Sequence, residues 1–459
     1  MVDVVLIYPP ITFKEGIPET LDVSRPPLGL LYLASALEKD DISVRIIDVG
    51  ADRLGIEDVL LVIEKECPSV VGISSMTPNL QGAVQAAKEI KNRFGDKISI
   101  GLGGAHISAD PGFVNRFSSI FDFGLVGEGE ITFPKIVRKI LNKEPFERIN
   151  YGEVPVNLDE VPFPARHLVR SNRYEKQISI MASRGCPYAC IFCSRLAISK
   201  KIRFRSVGNI VDEMETCFND CQGKFVFEDD TFTLRREHTL QLCEEMLQRK
   251  LGAKWSAITR ADLVDEPLLR KMHEAGCNEI TFGIESGNSR VRNEVVKKGL
   301  TDRRIFESIK MCNKVGIKVN VFLMLGFPTE TRQELYDTVN FATKADINII
   351  GIHLTLPLPG SPLFNIAQEE GLISGDIVDR FATKELGEGF RGVWPVYIPN
   401  GLSLDELHRA RRIGYYKFYF RPKYIMRRML SDLKSWQQLK TDARAAINLL
   451  LHGRSGLSP

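Results

Sequence analysis

Over residues 1–145, short runs of β-branched and aliphatic residues alternate with segments of helical period. The strand candidates are VDVVLIY, SVRIIDV, SVVGISS, ISIGLGG and FDFGLVG. Each is nearly continuous in apolar side chains, as a strand covered on both faces must be. Between the third and fourth, Leu80, Val84, Ala87, Ile90 and Phe94 recur at helical spacing, and Gly95 supplies the stop. This alternation predicts an α/β, doubly wound, Rossmann-like parallel sheet of about five strands, with ligands beyond the carboxyl ends of those strands.

Residues 146–172 carry three prolines and no clean period, and read as an ordered linker. A second βα series then occupies residues 173–385, with strands QISIMAS, KFVFEDD, KWSAITR, EITFGIE, KVNVFLML and NIIGIHLTL. Six βα units in about 200 residues predict a partial (β/α)6 TIM-like barrel, with its active site past the carboxyl ends of the strands. Residues 386–459 read as a helical C-terminal region.

Composition changes little in this picture. The 459 residues include 61 basic and 58 acidic side chains, a net charge of +3 that excludes a nucleic-acid partner on global charge. MVDVVLIYPP has no basic segment ahead of its apolar run, unlike a signal peptide, and no apolar stretch approaches the ~20 residues of a membrane span. The expectation is a cytoplasmic chain. Cys67, Cys217, Cys221, Cys243, Cys277 and Cys312 are scattered and read as buried thiols in a reducing compartment.

Cys186, Cys190 and Cys193 are different, because SRGCPYACIFCS places them on one short loop after a barrel strand. Three thiolates hold three irons of a four-iron cluster and leave the fourth iron open. Zinc wants a fourth Cys or His nearby, and none precedes Cys217. The odd count argues against disulfides, while structural thiols remain the plain alternative.

C-x-x-x-C-x-x-C with Phe192 before the third cysteine is similar to the signature of the radical S-adenosylmethionine enzymes. That resemblance implies that S-adenosylmethionine occupies the open iron and is cleaved to a 5′-deoxyadenosyl radical. Other strand ends resemble the same family. Glu228, Asp229 and Asp230 in FEDDTF match the segment that meets the methionine ammonium, although alone they read as a solvated acidic loop. Arg260 in ITRAD suits the methionine carboxylate, although a lone Arg is more often a surface ion pair. Glu285 in GIESGN matches the ribose contact, with Gly287 allowing close approach, and Gly326, Phe327, Pro328 and Glu330 in LGFPTET match the adenine segment. LPLPGSPL resembles a further loop of the group.

The first domain has neither G-x-G-x-x-G nor a Walker loop after a strand, which argues against a dinucleotide. It resembles instead the cobalamin-binding domain fused to such barrels, through RPPLGLLYLASALE, GISSMTP, GGAH and VGEGEITF. The resemblance implies cobalamin contacts at Ser74, Ser75, Thr77, Gly103, Gly104, His106, Gly127, Glu128 and Gly129, with Glu130 beside them. The small glycines would admit the dimethylbenzimidazole tail between sheet and helix. DVGADRLG lacks the histidine of D-x-H-x-x-G, so binding without a protein histidine on cobalt is expected, and His106 is expected to pack or hydrogen-bond. LDEVPFPARHL also resembles this group's linker.

The cofactors so implied are a [4Fe-4S] cluster, S-adenosylmethionine and cobalamin. The expected activity is methylation of an unactivated carbon or phosphorus on a small-molecule or lipid substrate, with an electron donor such as flavodoxin or ferredoxin. A radical oxidoreductase or cyclase, and a corrinoid carrier without catalysis, are the alternatives. No catalytic base is assignable. Methylthiotransfer is disfavoured because the first domain holds only Cys67. Between 411 and 440, nine Lys or Arg face one acidic residue, Asp432, among aromatics. This segment reads as a packed terminal helix or as a contact with an anionic membrane surface.

Overall fold

The computed structural model describes residues 1–14, 17–19, 25–195, 201–384, 394–422 and 424–426. The chain divides into two compact units. The first comprises Met1–Ile258 with Glu274–Cys277 and Pro357–Pro395, and the second comprises Thr259–His273, Asn278–Leu356 and the chain from Val396 onward.

In the first unit, β1 (Val4–Tyr8), β2 (Val44–Asp48), β3 (Val70–Ser74), β4 (Ser99–Gly103), β5 (Phe123–Val126) and β6 (Ile149–Tyr151) form one sheet in the order β2-β1-β3-β4-β5-β6. Every pairing is parallel; Leu6, for example, sits between Ile46 and Gly72. The chain reverses its direction of travel across the sheet between β1 and β3, where doubly wound folds open a crevice at the strand ends. Helix α1 (Leu28–Lys39) buries Leu30, Leu31, Ala34 and Leu37 on one stripe, packed with Leu6, Ile46 and Phe133. Helix α2 (Leu80–Phe94) presents the predicted apolar face and ends at Gly95, whose φ of 59° suits a residue without Cβ. Phe133 belongs to α3 (Thr132–Leu141).

The sheet has six strands, one more than the expected five, and the sixth comes from the stretch read as linker. β6 is three residues long, pairs Ile149 with Gly124, and exposes Tyr151 at the sheet edge. So short an edge strand carries no detectable period. Further along that stretch, Arg166 donates to the Ser179 carbonyl at 2.8 Å and to Glu213 at 2.5 Å; Glu213 is buried and also takes Arg205 at 2.5 Å.

The second βα series follows the predicted strand order. β7 (Ile178–Ile180), β8 (Lys224–Phe227) and β9 (Lys254–Thr259) pair in parallel, with Phe225 opposite Ile178 and Trp255. In the second unit, β10 (Cys277–Glu285), β11 (Lys318–Leu325) and β12 (Ile349–Leu354) also pair in parallel.

Helix α4 (Leu404–Tyr419) starts on a capping box between Ser403 and Glu406. It buries Leu407, Ala410 and Phe418, and the Tyr415 hydroxyl meets the Ile352 amide at 3.0 Å. Tyr415 and Tyr419 thus meet β12, Tyr416 and Phe420 are exposed, and the basic run from Arg427 onward lies outside the described residues. Among the described residues no helix is long and apolar enough to cross a membrane.

Candidate active site

A cavity of about 240 Å³ opens in the first unit where the strands end. Its floor is the sheet at Leu6, Gly72, Gly101 and Phe123, and its roof is α1 at Gly29 and Leu33 together with Phe133. Two strand glycines keep this slot open. A Cβ on Gly72 would stand 2.9 Å from Leu6 Cδ2, and one on Gly101 would intrude on the Phe123 ring carbons. The slot is apolar in depth, and its mouth is formed by the turns that follow β3, β4 and β5.

Of the residues expected to meet cobalamin, Ser74, Gly103, Gly104, Gly127, Glu128 and Gly129 line this cavity. Gly104 has φ 96°, and a Cβ there would lie 2.6 Å from the Ser75 carbonyl oxygen, so the turn needs glycine. Ser75, Thr77 and His106 do not line it. Ser75 Oγ turns back to the Met76 carbonyl at 3.0 Å, and Thr77 Oγ1 is 3.1 Å from His106 Nδ1. His106 is buried edge-on against Phe113, with ring centroids 5.1 Å apart. The turn at Gly104 sends this side chain under the sheet end and away from the mouth.

Burial pulls the His106 pKa down from 6.5 to about 4. Between those values the unfolded chain takes up a proton that the folded chain refuses. The stability present above pH 6.5 is therefore lost as pH falls toward 4, by about 3 kcal/mol. Urea midpoints at pH 7 and pH 4.5 should fall further for the wild type than for His106→Gln.

The cysteine loop begins beside the same cavity. Ser183 and Arg184 pair antiparallel with Phe204 and Arg203, which closes the base of the loop. Gly185 follows with φ 95°, where a Cβ would lie 2.5 Å from the Lys201 carbonyl oxygen. Cys190 is buried; Cys186 and Cys193 are partly exposed, and Phe192 is half-buried between the last two cysteines. The Arg195 amide donates to Cys193 Sγ at 3.4 Å, while burial raises the Cys193 thiol pKa. Among the described residues no three Cys, His, Asp or Glu groups converge on a single metal ion.

The three acidic residues after β8 separate. Glu228 and Asp230 line the cavity, Glu228 pairing with Arg25 and accepting from Ser179 Oγ at 2.9 Å, and Asp230 pairing with Arg195 at 2.5 Å. Asp229 is buried, accepts from the Ala182 amide at 3.0 Å and from Ser183 Oγ, and is pushed by burial to about 6. It braces the start of the cysteine loop and, unlike its two neighbours, does not line the cavity.

The other expected S-adenosylmethionine residues lie in the second unit. Arg260 places Nε and Nη2 on Asp262, both at 2.9 Å, and also reaches the Lys298 carbonyl. Glu285 has φ 67° and holds Lys298 Nζ at 2.9 Å. Gly326 has φ 92°, and Phe327 and Pro328 beside it are buried. Glu330 accepts from the Gly326 and Phe327 amides at 2.7 and 3.1 Å, which locks this turn, and burial raises its pKa to about 7.

Sequence reasoning missed Gly72, Gly101, Phe123 and Arg184. Glycine inside an apolar strand is the available signal for the first two, since it marks a close approach.

Family models match in two places: the B12 binding domain over residues 19–137 and the Radical SAM superfamily over residues 180–342. An uncharacterized methyltransferase of Pyrococcus horikoshii is 30% identical over 444 residues, covering 92% of this chain and 94% of its own length. The cytidylyl-2-hydroxyethylphosphonate methyltransferase of Streptomyces wedmorensis is 26% identical, covering 76% and 78%. An anaerobic magnesium-protoporphyrin IX monomethyl ester cyclase of Rubrivivax gelatinosus is also 26% identical, covering 87% and 75%. Among solved structures, the fold is similar to the radical S-adenosylmethionine methyltransferase TsrM of Kitasatospora setae, with TM-score 0.70 at 18% identity over 92% of this chain and 90% of that one. It is also similar to the cobalamin-dependent radical enzyme OxsB, with TM-score 0.72 at 16% identity over 99% and 72%.

Proposed function

The chain belongs to the cobalamin-dependent radical S-adenosylmethionine methyltransferase family, and from that premise we propose that it methylates a small molecule at a carbon or phosphorus lacking ordinary nucleophilicity. The observation that carries this reading is the shared cavity, in which the glycine turns after β4 and β5 and the start of the cysteine loop line one space. Its apolar slot, between the sheet at Gly72 and Gly101 and α1 at Gly29, would take the flat base of the cobalamin tail. When bound, the cluster with S-adenosylmethionine supplies a 5′-deoxyadenosyl radical, and cobalamin supplies the methyl group.

The chain's own residues bind and orient. Cys186, Cys190 and Cys193 hold three irons. Asp230 and Glu228 offer carboxylates to the methionine ammonium, in exchange for their present arginine partners. Arg260 takes the carboxylate by giving up Asp262, Glu285 takes the ribose hydroxyls, and the turn braced by Glu330 presents Gly326 and Phe327 to adenine. Ser74 and the glycines of the turns would seat the tail, and His106, packed against Phe113, lies outside the cavity lining. A flavodoxin or ferredoxin supplies electrons in a reducing cytoplasm.

Anaerobic incubation of the reconstituted protein with methylcobalamin, a reductant, isotopically labelled S-adenosylmethionine and a cell metabolite extract tests this reading. Labelled product with both 5′-deoxyadenosine and S-adenosylhomocysteine is expected. Deoxyadenosine alone would reject methyl transfer and favour the cyclase reading, for which the Rubrivivax relative speaks. A lipid-facing role for the C-terminal segment rests on exposed Phe420, Ile425 and Met426 beside Arg421; failure to sediment with anionic vesicles would reject it.

A further inference from the structure

Arg184 precedes Gly185 and Cys186, and its guanidinium is shared between two carboxylates. Nη1 donates to Glu128 at 2.7 Å and Nη2 to Glu130 at 2.6 Å. Arg203, across the short antiparallel pairing, also binds Glu128 and anchors on the Pro155 carbonyl at 2.7 Å. All four side chains are at most 12% exposed. The set is closed and neutral, two cations against two anions, and the face of the Tyr32 ring lies 5.1 Å from the Arg184 guanidinium carbon. Charges buried this deeply tolerate little displacement, because a separated partner is left desolvated and unpaired.

The carboxylates sit on the turn Gly127–Glu130, which lines the cavity, and Arg184 lines it as well. Arg184 is held by its pairing with Arg203 and lies two residues from Cys186, and Gly185 between them runs so close to Lys201 that a Cβ would lie 2.5 Å from its carbonyl oxygen. A group packed against Gly127 and Gly129 therefore fixes Glu128 and Glu130, these fix Arg184, and Arg184 fixes the entry of the cysteine loop.

We infer that Arg184 is a positioning residue that links occupancy of the cobalamin cavity to the geometry of the cluster loop, so that the two cofactors bind with positive coupling. The inference rests on the proposed assignment of the cavity to cobalamin. Coupling is reciprocal: each cofactor raises the affinity for the other by the same factor, about 5- to 150-fold in typical cases. Lysine cannot replace Arg184, because a single ammonium does not span two carboxylates as the planar fork does.

The test is titration of full-length protein with hydroxocobalamin, followed by absorbance, once with the cluster reconstituted and once without iron. In the wild type the dissociation constant should be at least fivefold lower with the cluster, and hydroxocobalamin should alter the electron paramagnetic resonance line shape of the reduced cluster. In Arg184→Lys both effects should vanish, while each cofactor still binds alone. Glu130→Gln, which leaves Glu128 paired with both arginines, should retain part of the coupling and serves as the reporter if Arg184→Lys does not fold. A wild type that takes up no cobalamin overturns the cavity assignment. Uptake with equal affinities in the two states, or coupling as large as the wild type's in Arg184→Lys or Glu130→Gln, overturns the role of Arg184 alone.

Discussion

Cys190→Ala is expected to abolish cleavage of S-adenosylmethionine, with 5′-deoxyadenosine at the detection limit and iron well below four atoms per chain after reconstitution. The loop offers three thiolates, one for each of three irons. Losing one thiolate leaves an iron open on the protein side. The fold should survive, because Cys190 has the volume of a small hydrophobe and its removal costs about 1 kcal/mol. Cys217→Ala is the control: that thiol lies outside the cysteine loop, is buried and donates to the Glu213 carbonyl at 3.0 Å, so its removal leaves the three loop thiolates in place. Its variant should reconstitute with wild-type iron. A Cys190→Ala protein that still yields deoxyadenosine would refute the cluster assignment.

Gly101→Ala is expected to weaken hydroxocobalamin binding by roughly 5- to 150-fold, the equivalent of the about 1–3 kcal/mol that one surplus methyl costs in a packed interior. The added carbon overlaps the Phe123 ring, which is 1% exposed and already forms part of the cavity floor. A ring displaced toward the cavity it lines would take up room in the slot. Gly101→Ala combined with Phe123→Leu removes the overlap and should restore most of the affinity. Gly103→Ala, by contrast, meets no atom within 4 Å and should fold normally. Absorbance titration of the three proteins decides the matter, and unchanged affinity in Gly101→Ala would show that the tail does not enter this slot.

The parts legible in the sequence are those that follow from local chemistry. β1 to β5 announce themselves because parallel strands covered on both faces read as unbroken apolar runs, as Val4–Ile7 does with no side chain exposed. The cysteine triplet is legible because three ligands on one loop are a matter of spacing. β6 is hidden because Ile149–Tyr151 has one neighbour and no second face to bury. Side-chain direction is hidden too. Ser74 ends β3 and His106 follows the end of β4, yet one faces the cavity and the other Phe113, with the turn at Gly104 between β4 and His106. Asp229 sits between two carboxylates that line the cavity but faces the opposite way, as successive residues of an extended segment do. Arg184 looks like any arginine near a loop until Glu128 and Glu130, more than 50 positions earlier, arrive beside it.

β6 and Arg166 bear on how this chain can be taken apart. A fragment cut at residue 145 would lose an edge strand and bare the β5 backbone, leaving an open row of amides and carbonyls that invites self-association. A fragment beginning after residue 172 would keep Glu213 and Arg205 but lack Arg166, and a buried carboxylate would lose one of its two cationic partners. Neither half inherits a clean border. The stretch between them behaves as a shared seam: its first residues finish one sheet and Arg166 neutralises a carboxylate of the next series.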